Sequence, residues 1–193
     1  DRESLLENWF NNHINPSYNN FSIELSALSS EILDAKNNGI TESNLETIRN
    51  AFQSTYKSWQ YVEMFNIGKA EEIYYGSTMN IYPVNVARVE SNISSGNYDL
   101  NNANNYAAQG LPTIDYLLYG VGENETEIIE KLNETKYIDY LVALSDQMTV
   151  NTSAVINDWE TYKNEFFNST DNTATSAVNM MVNDFIFYYE KGF

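Results

Sequence analysis

Two carboxylates occupy positions where helical spacing calls for apolar side chains. In GLPTIDYLLYG, residues 110–120, a helix starting near Pro112 turns by about 100° per residue and puts Leu111, Ile114, Asp115 and Leu118 on one side. Asp115 is therefore expected to point inward. A second helix carries Phe52, Tyr56, Trp59 and Glu63 at spacings of four, three and four, so an aromatic stripe ends on a second inward acid, Glu63. A buried carboxylate has to be paired, hydrogen-bonded, protonated or bound to a metal, because losing its hydration is costly.

The chemistry open to these groups is oxygen chemistry. The chain has no cysteine, which removes thiolate nucleophiles, thiolate metal sites and disulfides, and its single histidine, His13, lies beside a proline in NNHINPSYNNF. His13 is expected to be a surface or capping residue. A His-based zinc centre and most Ser-His arrangements lack material, and no glycine-rich nucleotide loop is present. Asn80, Tyr82, Asn85 and Glu90, in or near the irregular segment, add further oxygens to those of Glu63 and Asp115, a set suited to hard cations such as Ca²⁺, Mg²⁺, Mn²⁺ or Fe³⁺. The competing reading is a buried network in which either acid pairs with Arg88 or accepts hydrogen bonds from tyrosine hydroxyls and helix N-termini.

The elements that must position these residues are helical. Only three prolines and eight glycines interrupt the 193 residues, and the stretches between them carry helical periodicity. The first helix shows Leu5, Leu6, Trp9, Phe10 and Ile14, meets Pro16 as a kink or restart, and resumes through Phe21, Leu25, Leu28, Ile32 and Leu33 to Gly39. Thr41 caps a second helix predicted to run to about Asn66. The segment around residues 68–110 reads as irregular, with a short helix from Pro83 to about Ile93 whose first turn holds the proline. A short helix TEIIEKL, a long one from about Tyr137 to Phe167, and a last one from Ala177 to about Tyr189 follow. The last has a broad apolar face that calls for a packing partner. The fold class is all-α, an up-and-down helical bundle arrangement with long kinked helices.

The overall charge narrows the partners. Ten Lys and Arg against 27 Asp and Glu give a net charge of −17, which opposes nucleic acids and anionic lipid surfaces. No apolar run reaches bilayer length, and the opening DRESLL fits equally a mature chain whose export signal has been removed and a sequence from which the signal was left out. The Asn-x-Ser/Thr triplets Asn92-Ile93-Ser94 and Asn133-Glu134-Thr135 are expected by chance in so asparagine-rich a chain, and no fixed repeat is present.

Three segments, WQYVEMFNIGKAEE at 59–72, NIYPVN at 80–85 and QGLPTIDYLLYG at 109–120, together resemble the imelysin-like family of bacterial cell-envelope proteins in content, order and spacing. The family's hallmark GxHxxE falls on Gly110 to Asp115, with Pro112 in place of the histidine and Asp115 in place of the glutamate. The resemblance implies that residues 1–193 are the N-terminal and central part of a longer family domain, and that Glu63 lies near the motif's site. It also implies export to the cell envelope, a lipid on a cysteine preceding Asp1, and for some relatives a link to iron uptake. The reading that follows is a non-catalytic envelope protein binding a small ligand or a hard divalent or trivalent cation. Its site would comprise Glu63, Tyr82, Asn85, Arg88 and Asp115, with Glu63 and Asp115 as metal ligands. An envelope protein is a further expected partner, and membrane contact is expected only through the lipid anchor. Two alternatives stand beside it: a metallopeptidase-type hydrolase, weakened by loss of the motif histidine, and a scaffold whose inward acids only specify helix packing.

Overall fold

The structure is a computed structural model that describes residues 1–191. Along the chain run α1 (Arg2–Trp9), a π-helical turn (Phe10–Ile14), α2 (Asn15–Asn38), α3 (Glu42–Trp59), α4 (Lys69–Glu72), α5 (Tyr75–Met79), α6 (Val86–Ser95) and a 3₁₀ turn (Ala103–Ala108). Then come α7 (Gly110–Asp115), a second π-helical turn (Tyr116–Gly120), α8 (Glu125–Leu132), α9 (Thr135–Asn168) and α10 (Ala177–Lys191). Among the described residues there is no strand, so the all-α expectation holds. No described helix is long and apolar enough to cross a membrane.

The chain divides into two compact units. The first comprises Asp1–Ser22, Lys57–Gly76 and the chain from Asn151 onward; the second comprises Ile23–Tyr56 and Ser77–Val150.

The first unit is built around aromatic rings. Leu6, Ile14, Tyr18, Phe21, Trp59, Tyr75, Phe166 and Met181 are all 2% exposed or less. Trp59 meets Phe21 at 5.5 Å and Tyr75 at 5.3 Å, and Phe10 meets Trp159 at 5.3 Å between ring centroids. Such pairs add to the burial term, which is about 1.5–3 kcal/mol for a large apolar side chain. The helix passes Pro16 without breaking. Because proline cannot donate to the preceding turn, the backbone widens just before it: the N–H of Asn15 donates to Phe10 O, five residues back, in the π turn. His13 lies exposed in that turn. The outer face of α10 exposes Val182, Ile186, Phe187 and Tyr189.

Two expectations fail in this unit for one reason. α3 ends at Trp59 instead of continuing to Asn66, and residues 60–64 form turns through Val62 N to Trp59 O (2.9 Å) and Phe65 N to Val62 O (3.0 Å). Glu63 therefore lies beyond the helix whose stripe it was assigned to. Tyr56, near the end of the second unit's part of α3, is 42% exposed and so does not belong to a continuous inward stripe.

In the second unit, Leu25, Leu28, Ile32, Leu45, Ile48, Met79, Val89, Leu111, Ile114, Leu117, Leu118, Leu132, Leu141 and Leu144 are buried. Thr41 caps α3 as expected, accepting from Asn44 N while Asn44 Oδ1 accepts from Thr41 N at 2.7 Å. Asn133 closes the preceding turn by exchanging two 2.9 Å hydrogen bonds with the backbone of Ile40. The region read as irregular contains α4, α5, α6 and the 3₁₀ turn. Pro83 is not in the first turn of α6. It follows a cis peptide after Tyr82, and the helix begins at Val86 with Asn85 as its cap.

Asp184 on α10 generates a pH prediction for the first unit. Its Oδ2 is buried with no hydrogen-bond partner among the described residues. Burial, with a smaller push from Glu71, raises its carboxyl to about 6 against an opposing hydrogen bond from the Asn66 backbone. An acid with a raised folded value is bound to a proton longer in the native than in the unfolded state, so its contribution to stability falls as pH rises from about 4 to about 6. The Asp184→Asn variant should accordingly gain thermal stability over the parent at pH 7 and much less at pH 4. Equal gains at both values in paired melting curves would contradict this assignment.

Candidate functional site

The motif segment is held by backbone contact. Gly110 opens α7 with φ +75°, and a Cβ there would lie 2.6 Å from the Met79 carbonyl carbon, 2.8 Å from Thr78 O and inside the Met79 carbonyl oxygen. Only glycine fits both the backbone angle and the space. The approach brings the start of α7 against the end of α5, where the NIYPVN segment begins. Gln109, 2% exposed, donates from Nε2 to Leu100 O at 2.6 Å, and Thr113 Oγ1 donates to Gln109 O at 3.1 Å.

Beneath this segment runs a buried amide and phenol network. Asn92 Nδ2 donates to Asn105 Oδ1 and to Tyr140 Oη, both at 3.0 Å. Tyr140 Oη donates to Ala108 O at 2.7 Å, and Asn105 Nδ2 donates to Asp99 O at 2.8 Å. These bonds tie α6 and α9 to the chain leading into α7.

At the far end of the motif, Arg49 secures the π turn. Its Nε and Nη2 donate to Leu118 O at 3.0 and 2.6 Å, its Nη1 meets both Glu125 carboxylate oxygens at 2.8 and 2.9 Å, and its guanidinium lies 4.6 Å from the Tyr119 ring centre. Arg88, the arginine that the sequence pairs with an inward acid, is exposed and makes no ion pair with Glu63 or Asp115 among the described residues.

Asp115 does not point inward; it is exposed. The buried arc of α7 is centred on Ile114, with Thr113, Leu117 and Leu118 also buried, and Asp115 lies one step of about 100° past its centre. Nearby protein bulk still pushes its carboxyl above the ordinary value. Tyr82 is 87% exposed, and Asn85 spends its side-chain oxygen on Arg88 N at 3.0 Å as the cap of α6. These residues belong to the second unit and Glu63 to the first. There Glu63 accepts from Lys191 Nζ at 2.7 Å, its side chain 10% exposed. Among the described residues no three His, Cys, Asp or Glu side chains gather to hold a metal.

A tyrosine-held carboxylate of the kind expected for Asp115 or Glu63 occurs at Glu90. Tyr116 Oη donates to Glu90 Oε1 at 2.8 Å, and Tyr137 Oη donates to Glu90 Oε2 at 2.6 Å. Burial first, and then the hydrogen-bonded Glu90 charge, drive both phenols well above their ordinary range. Lys131 and Lys136 place ammonium groups 5.0 and 5.7 Å from the Tyr137 ring centre. The sequence already placed Glu90 among the oxygen donors and set a tyrosine directly after Asp115, but no spacing joined the two. An open groove of about 410 Å³, lined by Tyr98, Asp99, Asn101, Asp146, Gln147 and Val150 among others, contains none of the residues predicted from sequence.

Two substitutions test this scaffold. Gly110→Ala meets both a positive φ and the Met79 carbonyl and should cost about 2–5 kcal/mol, seen as a large fall in melting temperature. Asn92→Ala leaves Asn105 Oδ1 and Tyr140 Oη each short of a donor and should cost about 1–3 kcal/mol in denaturant unfolding. A neutral result for either would remove that residue from the supports of the motif.

Comparison with known proteins agrees with the segment-level resemblance. The imelysin (peptidase M75) family profile matches residues 14–190. An imelysin-like protein from Psychrobacter arcticum superposes with a TM-score of 0.77 at 14% identity, over 98% of this chain and 60% of that one. A protein from Parabacteroides distasonis bearing the name iron-regulated protein A precursor gives 0.69 at 16% identity, over 95% of this chain and 50% of that one. The chain thus spans 50–60% of the length of these structures. No curated protein matches it. With the family profile covering nearly the whole sequence and both structures sharing its helical fold, the chain belongs to the imelysin family.

Proposed function

We propose that this chain is a non-catalytic binding protein of the cell envelope that takes a cation or small ligand and serves iron acquisition. The observation that carries the reading is the donor set at the motif helix. Where the family pattern has a histidine the chain has Pro112, and what stands at the end of α7 is Asp115 followed by Tyr116, hydrogen-bonded to Glu90. Carboxylate and phenol oxygens without imidazole or thiolate favour hard cations. The name of the Parabacteroides distasonis protein supports the connection with iron.

In this reading the binding surface lies on the second unit, with Asp115 as a metal ligand and Tyr82 and Arg88 as exposed contacts beside the Asn85 cap. Glu63, held by Lys191 in the first unit, is the second proposed ligand and is tested separately.

Metal content by mass spectrometry, after dialysis against trace iron, zinc, calcium and manganese, tests the proposal. Parent protein should retain a near-stoichiometric cation, with retention falling roughly tenfold or more in Asp115→Asn. The same measurement on Glu63→Gln decides whether the first unit contributes. No retained cation, together with no heat of binding for iron chelates in calorimetry, would overturn the reading.

A further inference from the structure

We propose that the groove between α9 and residues 98–101 is a binding site for a small aliphatic diamine, whose two ammonium groups are met by Asp99 and Asp146. The site lies apart from Asp115 and Glu63, takes an organic cation rather than a metal, and stands or falls independently of the metal reading.

The walls of the groove are built from two elements of the second unit. Ala143, Asp146, Gln147 and Val150 line one side at spacings of three, one and three, so they form a single face of α9 about 10 Å long. Opposite stand Tyr98, Asp99, Leu100 and Asn101. That segment is fixed before any ligand arrives: Asp99 O accepts from Asn105 Nδ2 at 2.8 Å, Leu100 O accepts from Gln109 Nε2 at 2.6 Å, and the Tyr98 ring meets Tyr140 of α9 edge-on at 4.8 Å. Gln147 Nε2 donates across to Asn101 Oδ1 at 3.1 Å and joins the two sides. A pre-formed groove of about 410 Å³ has the size of a small-molecule site and spends little binding energy on ordering itself.

Charge and donor count decide the ligand class. The lining has no lysine, arginine or histidine, and among the described residues neither Asp99 nor Asp146 belongs to an ion pair. The amide N–H groups there turn to acceptors in the wall itself, Gln147 to Asn101 and Asn101 Nδ2 to Asp99 Oδ1 at 3.3 Å. The groove therefore offers negative charge and oxygen acceptors, and its ligand has to bring positive charge and donors.

The carbon in the walls separates an organic cation from a bare metal ion. No three acidic side chains converge among the described residues, whereas Leu100, Ala143 and the 62% exposed Val150 present apolar surface. An ammonium group on an aliphatic stem uses both features, laying methylenes along the carbon while its charged head stays at a carboxylate. Two acids on opposite walls call for two such heads, which makes the ligand a diamine.

The test is isothermal titration calorimetry of the intact chain with 1,5-diaminopentane at low ionic strength. One equivalent should bind saturably, with an affinity that falls as salt is raised. Asp99→Asn and Asp146→Asn should each lower that affinity roughly fivefold or more, and butylamine and Nα-acetyl-lysine methylamide, with one ammonium each, should bind more weakly by a similar factor. Both acids are exposed, so the variants keep the fold, which circular dichroism checks. Glu46→Gln removes the same charge from an exposed position on α3 outside the groove and should leave the affinity unchanged. No saturable binding, or a monoamine bound as tightly as the diamine, overturns the inference. So does an equal loss in Glu46→Gln, which would mean that amines are drawn only by the overall charge of −17.

Discussion

The contact between Gly110 and the Met79 carbonyl is the constraint on which the second unit's motif region depends. With no side chain in the way, the start of α7 lies against the end of α5, and two segments thirty residues apart in sequence become one surface. The neighbouring interactions follow from that approach. Gln109 is drawn into the interior, Thr113 bonds back to it, and the chain entering α7 hangs from Tyr140 through Ala108 O. A larger residue at 110 would separate these elements rather than merely crowd them.

The composition explains how the chain satisfies its polar groups. With 27 acids and only ten Lys and Arg, most carboxylates cannot have a cationic partner of their own. Neutral donors take that role at several of them: phenols at Glu90, backbone N–H groups at Asp1, Asp99 and Glu127, and side-chain amides at Asp34 and Glu127. The few cations serve where several acceptors meet, as Arg49 does at Leu118 O and Glu125. Fifteen tyrosines in such a chain supply donors that stay neutral at physiological pH while packing as aromatic rings.

The long helices were legible because their periodicity extends over many turns. The helix expected over 137–167 is α9, Thr135–Asn168, and the last helix starts at Ala177 as its pattern says. The three motif segments were also sufficient to place the chain in its family. What could not be read were features decided by one residue's rotation or by a tertiary partner. Asp115 shares a nominal face with Leu111 and Leu118, yet the buried arc is set by where Ile114 packs, and an offset of about 100° puts the acid outside. Glu63 continues a numerical spacing past a helix that has already ended at Trp59. Glu90 gave little warning, since both its partners come from elements 26 and 47 residues away.

The second π-helical turn gives the motif region a discrete evolutionary degree of freedom. A π turn holds one residue more than the α-helical path it replaces, so side chains on either side of it are out of α-helical phase by about 100°. Loss of a single codon between Tyr116 and Gly120 would close the turn into ordinary helix and rotate Tyr116 relative to Leu118 and Tyr119. The backbone anchor at Gly110 lies upstream and would be untouched. An alteration of length would thus re-aim Leu118 and Tyr119, and with them the Leu118 carbonyl that Arg49 holds, while leaving Tyr116, the glycine contact and the buried amide network in place.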